Sequence, residues 1–377
     1  MKLYDYIILG AGASGLMLAY RMAKDSFFDD KSILIIDKEK DKGNDRTWCY
    51  WENGDGEWDT VLSKSWNSIY FGSDSIQKTI NIAPYRYKMI RSGNFYNLLW
   101  STIKKSNTIK YVNASVKGFN ENAIIDVVTS VGIFKGKKLL NSIPSQDFTL
   151  QEKYPVLQQH FLGWFIKTEQ PIVDESVAKF MDFSIPQKQN TRFMYVLPID
   201  KHTALFEYTL FSKTILETSE YEQAIKDYLT ERQIEDYEII EKERGSIPMT
   251  AYKFNTHNTE SVLHIGTAGG WTKASTGYTF RNTTKQTKLL VEFLKTNSNL
   301  KTFKKLDKYW FYDLLFLDVL YTNNALGSEL FSSLFKKAKA TTILKFLDEE
   351  TSLLEDLKII ASVPPWQFTK ALFRRLF

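Results

Sequence analysis

Tyr4–Asp37 reads YDYIILGAGASGLMLAYRMAKDSFFDDKSILIID, and this stretch decides the fold. Tyr6–Leu9 is an apolar run long enough for one buried strand. Gly10, Gly12 and Gly15 then form G-x-G-x-x-G. Ser14 to Ala23, rich in Leu, Met and Ala, predicts a helix. Ile33–Ile36 is a second buried strand with Asp37 at its end. Together they make the whole strand, glycine turn, helix, strand and acid unit of a dinucleotide-binding fold. Gly10 permits a tight turn, Gly12 lets a pyrophosphate approach the backbone, and Gly15 lets the helix pack on the strands. The helix N-terminus presents free N–H groups and a positive dipole end to phosphates. Asp37 can accept hydrogen bonds from an adenosine ribose. The plainer alternative, a glycine-rich turn holding nothing, is disfavoured because strand, spacing and acid all agree.

Outward from that unit, size sets the frame. The chain has 377 residues, beyond the ~100–200 usual for one domain, so two domains or one with large insertions are expected. Hydrophobic residues make up 43% and aromatic residues 15%, with 26 Phe, 20 Tyr and 9 Trp. Such an aromatic excess fills a core or lines a pocket for a large apolar ligand. The net charge of +5 comes from scattered lysines, which argues against nucleic-acid binding. A mildly basic surface suits an anionic membrane face as well as plain solubility. The single cysteine, Cys49, allows no intramolecular disulfide and no cysteine-based metal site, and a reducing compartment follows. The four histidines lack metal-ligand spacing, so no metal is expected. The apolar start resembles a signal peptide only superficially, because its glycines serve the nucleotide turn. No apolar run reaches the ~18 residues of a spanning helix.

After Asp37 a charged loop runs from Lys38 to Asp45 and gives way abruptly to Arg46-Thr47-Trp48-Cys49-Tyr50-Trp51, a pocket wall or a local aromatic core. Trp66–Phe71 and Lys78–Ile82 predict strands. Ser92 is a candidate N-cap for a helix carrying Phe95, Leu98, Leu99 and Ile103. Arg91, just before it, either reaches nucleotide phosphates or ribose or faces solvent. Lys110–Val116, Ile124–Thr129 and Lys137–Ser142 predict returning strands of the nucleotide domain, closed by the loop at Pro144.

From Tyr154 to Ile240 the texture becomes aromatic and β-rich. His160–Lys167 and Phe180–Phe183 predict strands. Thr191–Pro198 and Thr203–Ser212 predict a hairpin. In the second arm Ala204, Phe206, Tyr208 and Leu210 share one face and Leu205, Glu207, Thr209 and Phe211 the other. Both faces are largely apolar, so the strand is expected to be buried on both. Glu207 is then either a buried carboxyl, raised in pKa and usable as a general acid, or a solvated or salt-bridged edge residue. Tyr221–Thr230 is an amphipathic helix, Tyr237–Glu243 a strand, and Gly245–Met249 a turn back to the nucleotide domain. Val262–Ile265 leads into Gly266, Gly269 and Gly270, a second glycine-rich loop before a helix beginning near Thr276-Gly277-Tyr278-Thr279, again with N–H groups free for a cofactor edge. The nucleotide domain is therefore discontinuous. Helices are expected over Trp310–Tyr321, Ser328–Lys337 and Thr341–Phe346. After Pro364-Pro365 the basic, aromatic C-terminal segment either docks on the body or lies on a membrane.

With DRTWCYW, FEYTLF and GTAGGWTKASTGYTF read in this order, the chain resembles the flavin-dependent bacterial lycopene β-cyclases over nearly its whole length. The resemblance implies an α/β fold: a Rossmann-type FAD-binding domain with an inserted β-sheet substrate domain and C-terminal helices. The division it suggests is 1–75, 105–145 and 245–300 for FAD, 76–104 and 146–244 for substrate, and 301–377 helical. It implies cyclisation of the ψ-ends of lycopene to β-ionone rings, through γ-carotene to β-carotene, with reduced FAD and NAD(P)H as reductant but no net redox change. It places Gly10, Gly12, Gly15 and Asp37 at the dinucleotide half of FAD, and Arg46, Thr47, Gly266, Ala268, Gly269 and Gly277 near the flavin. Ala13, Ser14 and Lys38, flanking the first glycines and the acid, and Tyr278 beside Gly277 join the cofactor candidates, as does Arg91. Glu207 matches the family's essential cyclase glutamate.

Two departures stand out. Tyr208 occupies the place of a second acid often found after that glutamate, which puts a paired-carboxylate mechanism in doubt. Lys273-Ala274-Ser275 stands where relatives carry proline. Thr267 follows Gly266 where many flavin monooxygenases have aspartate, which argues against an ordinary hydroxylase. The alternative function is a flavin oxidoreductase, a reductase or monooxygenase acting on a prenyl-type apolar substrate; a non-catalytic flavin- or lipid-binding protein is a further one. A carotenoid substrate lives in a bilayer, so a cytoplasmic protein peripheral on the inner membrane is expected.

Overall fold

The computed structural model describes residues 2–303 and 305–376. The opening unit is β1 (Leu3–Leu9), α1 (Ala13–Lys24) and β2 (Ile33–Asp37). It is followed by β3 (Thr47–Asn53), β4 (Leu62–Trp66), β5 (Ser68–Ser73), β6 (Ile76–Asn81), β7 (Tyr85–Arg91) and α2 (Ser92–Ile103). Then come β8 (Ile109–Asn113), β9 (Val116–Glu121), β10 (Ile125–Thr129) and β11 (Gly132–Asn141). The aromatic region supplies β12 (Val156–Lys167), β13 (Val177–Asp182), β14 (Thr191–Pro198), β15 (Thr203–Ser212), α3 (Thr218–Thr230) and β16 (Glu238–Thr250). β17 (Val262–His264) and α4 (Phe280–Thr296) precede the C-terminal helices α5 (Lys308–Thr322), α6 (Gly327–Lys337), α7 (Ala340–Leu347), α8 (Leu353–Ser362) and α9 (Pro365–Leu376).

The first sheet runs β8-β2-β1-β11-β10-β9, with β17 also on β11. β8, β2, β1, β11 and β17 are parallel, and helices cover them, so their strands are continuously apolar. Ile7, Ile8, Ile33, Leu34, Ile35 and Ile36 are wholly buried. α1 inserts Leu16, Met17, Leu18 and Ala19 into the same core. Each such Leu or Met contributes about 1.5–3 kcal/mol by leaving water. This is the Rossmann-type α/β unit the opening stretch predicts.

The second sheet runs β16-β12-β15-β14-β13-β5-β6. The expected hairpin is β14 and β15, paired from Thr191↔Phe211 to Pro198↔Ala204. β15 is buried on both faces. One face packs on α3 through Tyr208, Tyr221, Ile225 and Tyr228. The other joins the C-terminal helices through Leu205, Phe211, Leu317, Phe331 and Phe335. A small third sheet, β3-β7-β4, lies between the two units.

Four readings change. Gly245–Met249 is no turn: β16 runs straight through it along β12. Pro248 is tolerated there because β16 is an edge strand with β12 as its one partner. Ser92 is not the N-cap of α2. Arg91 holds that place, while the Ser92 hydroxyl donates to Asp45 and Gly43 and accepts the Arg46 N–H, anchoring the loop before β3. Ser68–Ser73 hydrogen-bonds into the second sheet rather than the first. α2 packs beside α1 in the nucleotide core, not with the substrate sheet. α8, absent from the sequence reading, begins with Ser352 and Glu355 in a reciprocal capping box.

Candidate functional site

A single cavity of about 810 Å³ runs from the first glycine turn to the C-terminal helices. At its polar end are Gly10, Gly12, Ala13, Ser14 and Asp37. Gly10 has φ +93°, a conformation that favours glycine. A Cβ at Gly15 would stand 2.0 Å from the Gly10 carbonyl oxygen, so α1 can approach the turn only without one. A Cβ at Gly12 would meet nothing within 4 Å, because that face opens on the cavity. No side chain caps α1, which leaves its first-turn N–H groups for a ligand. Asp37 is held in place: its carboxylate accepts the N–H groups of Ala11 at 2.6 Å and Glu39 at 2.8 Å and pairs with Lys42 at 3.2 Å.

The second glycine loop forms the middle of the cavity. Gly266 and Gly277 have φ +62° and +74°, and both line the wall with Thr267, Thr276 and Tyr278. Gln159 Oε1 and Thr276 Oγ1 are buried without a hydrogen-bond partner among the described residues, and both residues line this wall. Buried polar atoms are normally satisfied, so an open glycine cradle and two orphaned polar groups fit an extended dinucleotide cofactor. The departure at Lys273 has a structural cause. Its buried ammonium pairs with Asp313 at 3.0 Å and Glu349 at 3.1 Å, tying the loop to the C-terminal helices.

The far end is aromatic. Phe180, Phe193, Tyr195, Phe211, Phe331 and Phe335 line it, and Glu207 stands among them. The Thr209 hydroxyl donates to Glu207 Oε1 at 2.7 Å. Glu207 and Glu243 lie opposite the same residue, Gly163, on the two sides of β12. A Cβ at Gly163 would sit 3.2 Å from Glu207 Cβ and 3.3 Å from Glu243 Cγ, so the missing side chain is what lets the two acids meet. Set on either side of Gly163, the two carboxyls each act on the other's proton affinity. Burial, then the neighbouring Glu243 charge, pushes the Glu207 carboxyl well above the usual range. Burial also raises Glu243, opposed by the Thr47 hydroxyl, which donates to its Oε2 at 2.6 Å, and by the Arg91 charge. Beside the pair, Tyr87, Tyr195 and Tyr278 join hydroxyls at 2.5 and 3.1 Å, and burial pushes the Cys49 thiol up.

Of the residues singled out from sequence, Gly10, Gly12, Ala13, Ser14, Asp37, Arg46, Thr47, Glu207, Gly266, Gly277 and Tyr278 line this one cavity. Gly15 and Gly269 act behind it: a Cβ at Gly269 would stand 2.1 Å from the His264 carbonyl oxygen. Lys38 and Ala268 are not on its wall, and Lys42 is the lysine that reaches Asp37. Arg91 is turned away from the nucleotide end. It donates to Thr47 Oγ1 at 3.0 Å, pairs with Glu241 and stacks on Phe165 at 4.4 Å.

Against known proteins, the sequence profile described as "Lycopene cyclase protein" matches residues 5–373. The chain belongs to the lycopene cyclase family. A lycopene beta-cyclase of Pseudescherichia vulneris is 23% identical over 254 residues, 65% of this chain and 62% of that protein. One from Pantoea ananas is 24% identical, covering 66% and 63%. The alignments thus span under two thirds of those relatives. Solved structures share the fold. A geranylgeranyl bacteriochlorophyll reductase-like protein from Thermoplasma acidophilum has TM-score 0.73 at 13% identity over 98% of each chain. A flavin-dependent brominase has TM-score 0.59 at 13% identity, covering 92% and 94%. A halogenase solved with phloroglucinol and FAD has TM-score 0.59 at 11% identity, covering 98% and 86%.

Glu243 is the acid of the cavity wall that sequence reasoning missed. The doubt raised by Tyr208 concerned the neighbouring position, which faces away: the Tyr208 hydroxyl accepts from Arg192 at 2.8 Å on the α3 side. The second acid comes from β16 instead. Its one sequence signal is the alternation of Glu241 and Glu243 on one face of a strand.

Proposed function

We propose that this chain is a lycopene β-cyclase that binds FAD and cyclises the ψ-ends of lycopene to β-ionone rings, through γ-carotene to β-carotene. The observation that carries the reading is Glu207. A buried carboxyl, pushed up in pKa by that burial, stands on the aromatic wall of a cavity whose other end is a glycine cradle. Family membership supplies the substrate class.

Gly10, Gly12, Ala13, Ser14 and Asp37 would hold the ADP half of FAD, and Thr267, Thr276, Gly277 and Tyr278 the flavin half. Reduced FAD, with NAD(P)H as reductant, supplies an electron-rich ring system beside the substrate without being consumed. The acid step belongs to the chain. Glu207 gives its proton to a terminal double bond, leaving a tertiary cation. The neighbouring double bond attacks it and closes the ring. A ring proton then leaves and its electron pair restores a double bond, so the product is an isomer of the substrate. The aromatic wall excludes water, which would trap the cation, and its π-faces favour positive charge.

The substrate's residence in a bilayer makes the protein a peripheral membrane one, cytoplasmic and on the inner membrane. No helix among the described residues is long and apolar enough to cross a membrane. Leu353, Leu354 and Leu357 on α8 are 69%, 73% and 62% exposed. Beneath them, α6 and α7 carry cavity-lining residues Phe331, Leu334, Phe335, Ile343 and Leu347. That face lies over the apolar end of the site and is where a membrane would be met.

The test is to express the chain in cells that supply lycopene and read the pigments. β-Carotene or γ-carotene is expected, and Glu207→Gln is expected to cut its formation at least about a hundredfold, the scale of a lost general acid. Full activity in that variant removes the acid role. Accumulation of a reduced or hydroxylated carotenoid instead would make the protein a flavin oxidoreductase.

A further inference from the structure

We infer that Glu243 is the positioning residue of the acid, forming with Glu207 a carboxyl pair across Gly163 that holds a single proton and serves as both its source and its sink. This rests on the cyclase reading and adds a residue to it. The pair is assembled by sheet register, with β15 and β16 flanking β12 and the one glycine of β12 itself, Gly163, lying between the two acids. Each acid has its own hydroxyl donor, Thr209 for Glu207 and Thr47 for Glu243.

Two carboxylates in contact in a buried site repel, so such pairs keep one proton over a wide pH range. The surroundings decide where it sits. Arg91 donates to Thr47, Thr47 donates to Glu243, and the guanidinium field favours a carboxylate there. Glu207 lies among apolar side chains, and among the described residues no cation acts on it, so it keeps the proton and donates it to Glu243. Among the described residues the other titratable and charged groups facing the pair are Cys49, Tyr195, Tyr278, Arg91 and Glu241, with the Tyr87 hydroxyl bonded to both tyrosines. Cys49 and the two tyrosines are pushed up by burial and stay neutral. Glu241 is committed to Arg91.

When Glu207 protonates the substrate, both acids become carboxylates facing a cation. That dianion stabilises the cation and strongly favours recapturing a proton. The C–H bond beside the cationic carbon breaks, its electrons form the ring double bond, and the proton returns to Glu207. No co-reactant is needed, because proton and electrons balance within one isomerisation.

The experiment compares wild type, Glu243→Gln and Glu243→Asp in two ways. In the pH profile of kcat/KM for cyclisation, rising pH removes the proton and gives an alkaline limb. Glu243→Gln abolishes the like charge and offers an N–H to the Glu207 carboxylate, so the limb is expected to move down by about one unit or more; Glu243→Asp restores it in part. In the resting protein without substrate, the infrared C=O band of a protonated carboxyl, identified by its loss in Glu207→Gln, is expected to titrate at correspondingly lower pH in Glu243→Gln. An unmoved limb and an unmoved band overturn the pair. If the band moves while no variant, wild type included, cyclises lycopene, the pair stands and the cyclase reading falls.

Discussion

At position 15 a methyl group has nowhere to go, since it would stand 2.0 Å from the Gly10 carbonyl oxygen. Gly15→Ala is therefore expected to push α1 off the turn, costing about 1–3 kcal/mol as overpacking does. It should also weaken cofactor retention, read as a lower melting temperature and less bound flavin after purification. An unchanged melting temperature and full flavin content would contradict this close approach. Glu207 shows the opposite side of the same scale. Its residue type was legible as an anomaly in an apolar strand, and burial pushes its carboxyl pKa up. Arg91 was legible only as a charge near a helix start. Its partners, Glu241 and Thr47, lie on other strands, so no local pattern could assign them.

At the scale of elements, the decisive feature is the register of β15, β12 and β16. The absence of a side chain at Gly163 leaves the two acids room over β12. Gly163→Ala would bring a methyl group to 2.7 Å from Leu205 Cδ1 as well as against both acids. The expected result is modest destabilisation, about 1–3 kcal/mol, with a loss of cyclisation larger than the loss of folded protein. Thermal unfolding and pigment yield measured side by side would show it; equal losses would mean that Gly163 matters for packing alone. Strands whose hydrophobic pattern is continuous, β1, β2 and β15, were legible because burial on both faces leaves a run in the sequence. β3 and the full length of β16 were not. β3 is amphipathic in a small sheet, and β16 is an edge strand whose Gly245 and Pro248 read locally as a turn.

Across the whole molecule, one cavity links the cradle, the acid pair and the helices beneath α8. Leu354→Glu with Leu357→Glu places charge on the exposed face of α8 without touching the cavity wall. Flotation with anionic liposomes is expected to fall severalfold while the melting temperature holds; unchanged flotation would locate the membrane face elsewhere. α9 is a poorer candidate, because Arg375 binds Asp318 at 2.6 Å and Ala371 is buried, docking that helix on the body. By itself the sequence determined the Rossmann-type opening unit, the hairpin and the anomalous Glu207, because each is written in neighbouring residues whose spacing the backbone geometry fixes. Only the tertiary structure decided that Glu243 and Glu207 face one residue of β12, that Arg91 binds Thr47 and Glu241, and that β16 runs unbroken. Those facts depend on which strands lie side by side and in what register, and contacts between residues far apart in the chain leave no local pattern.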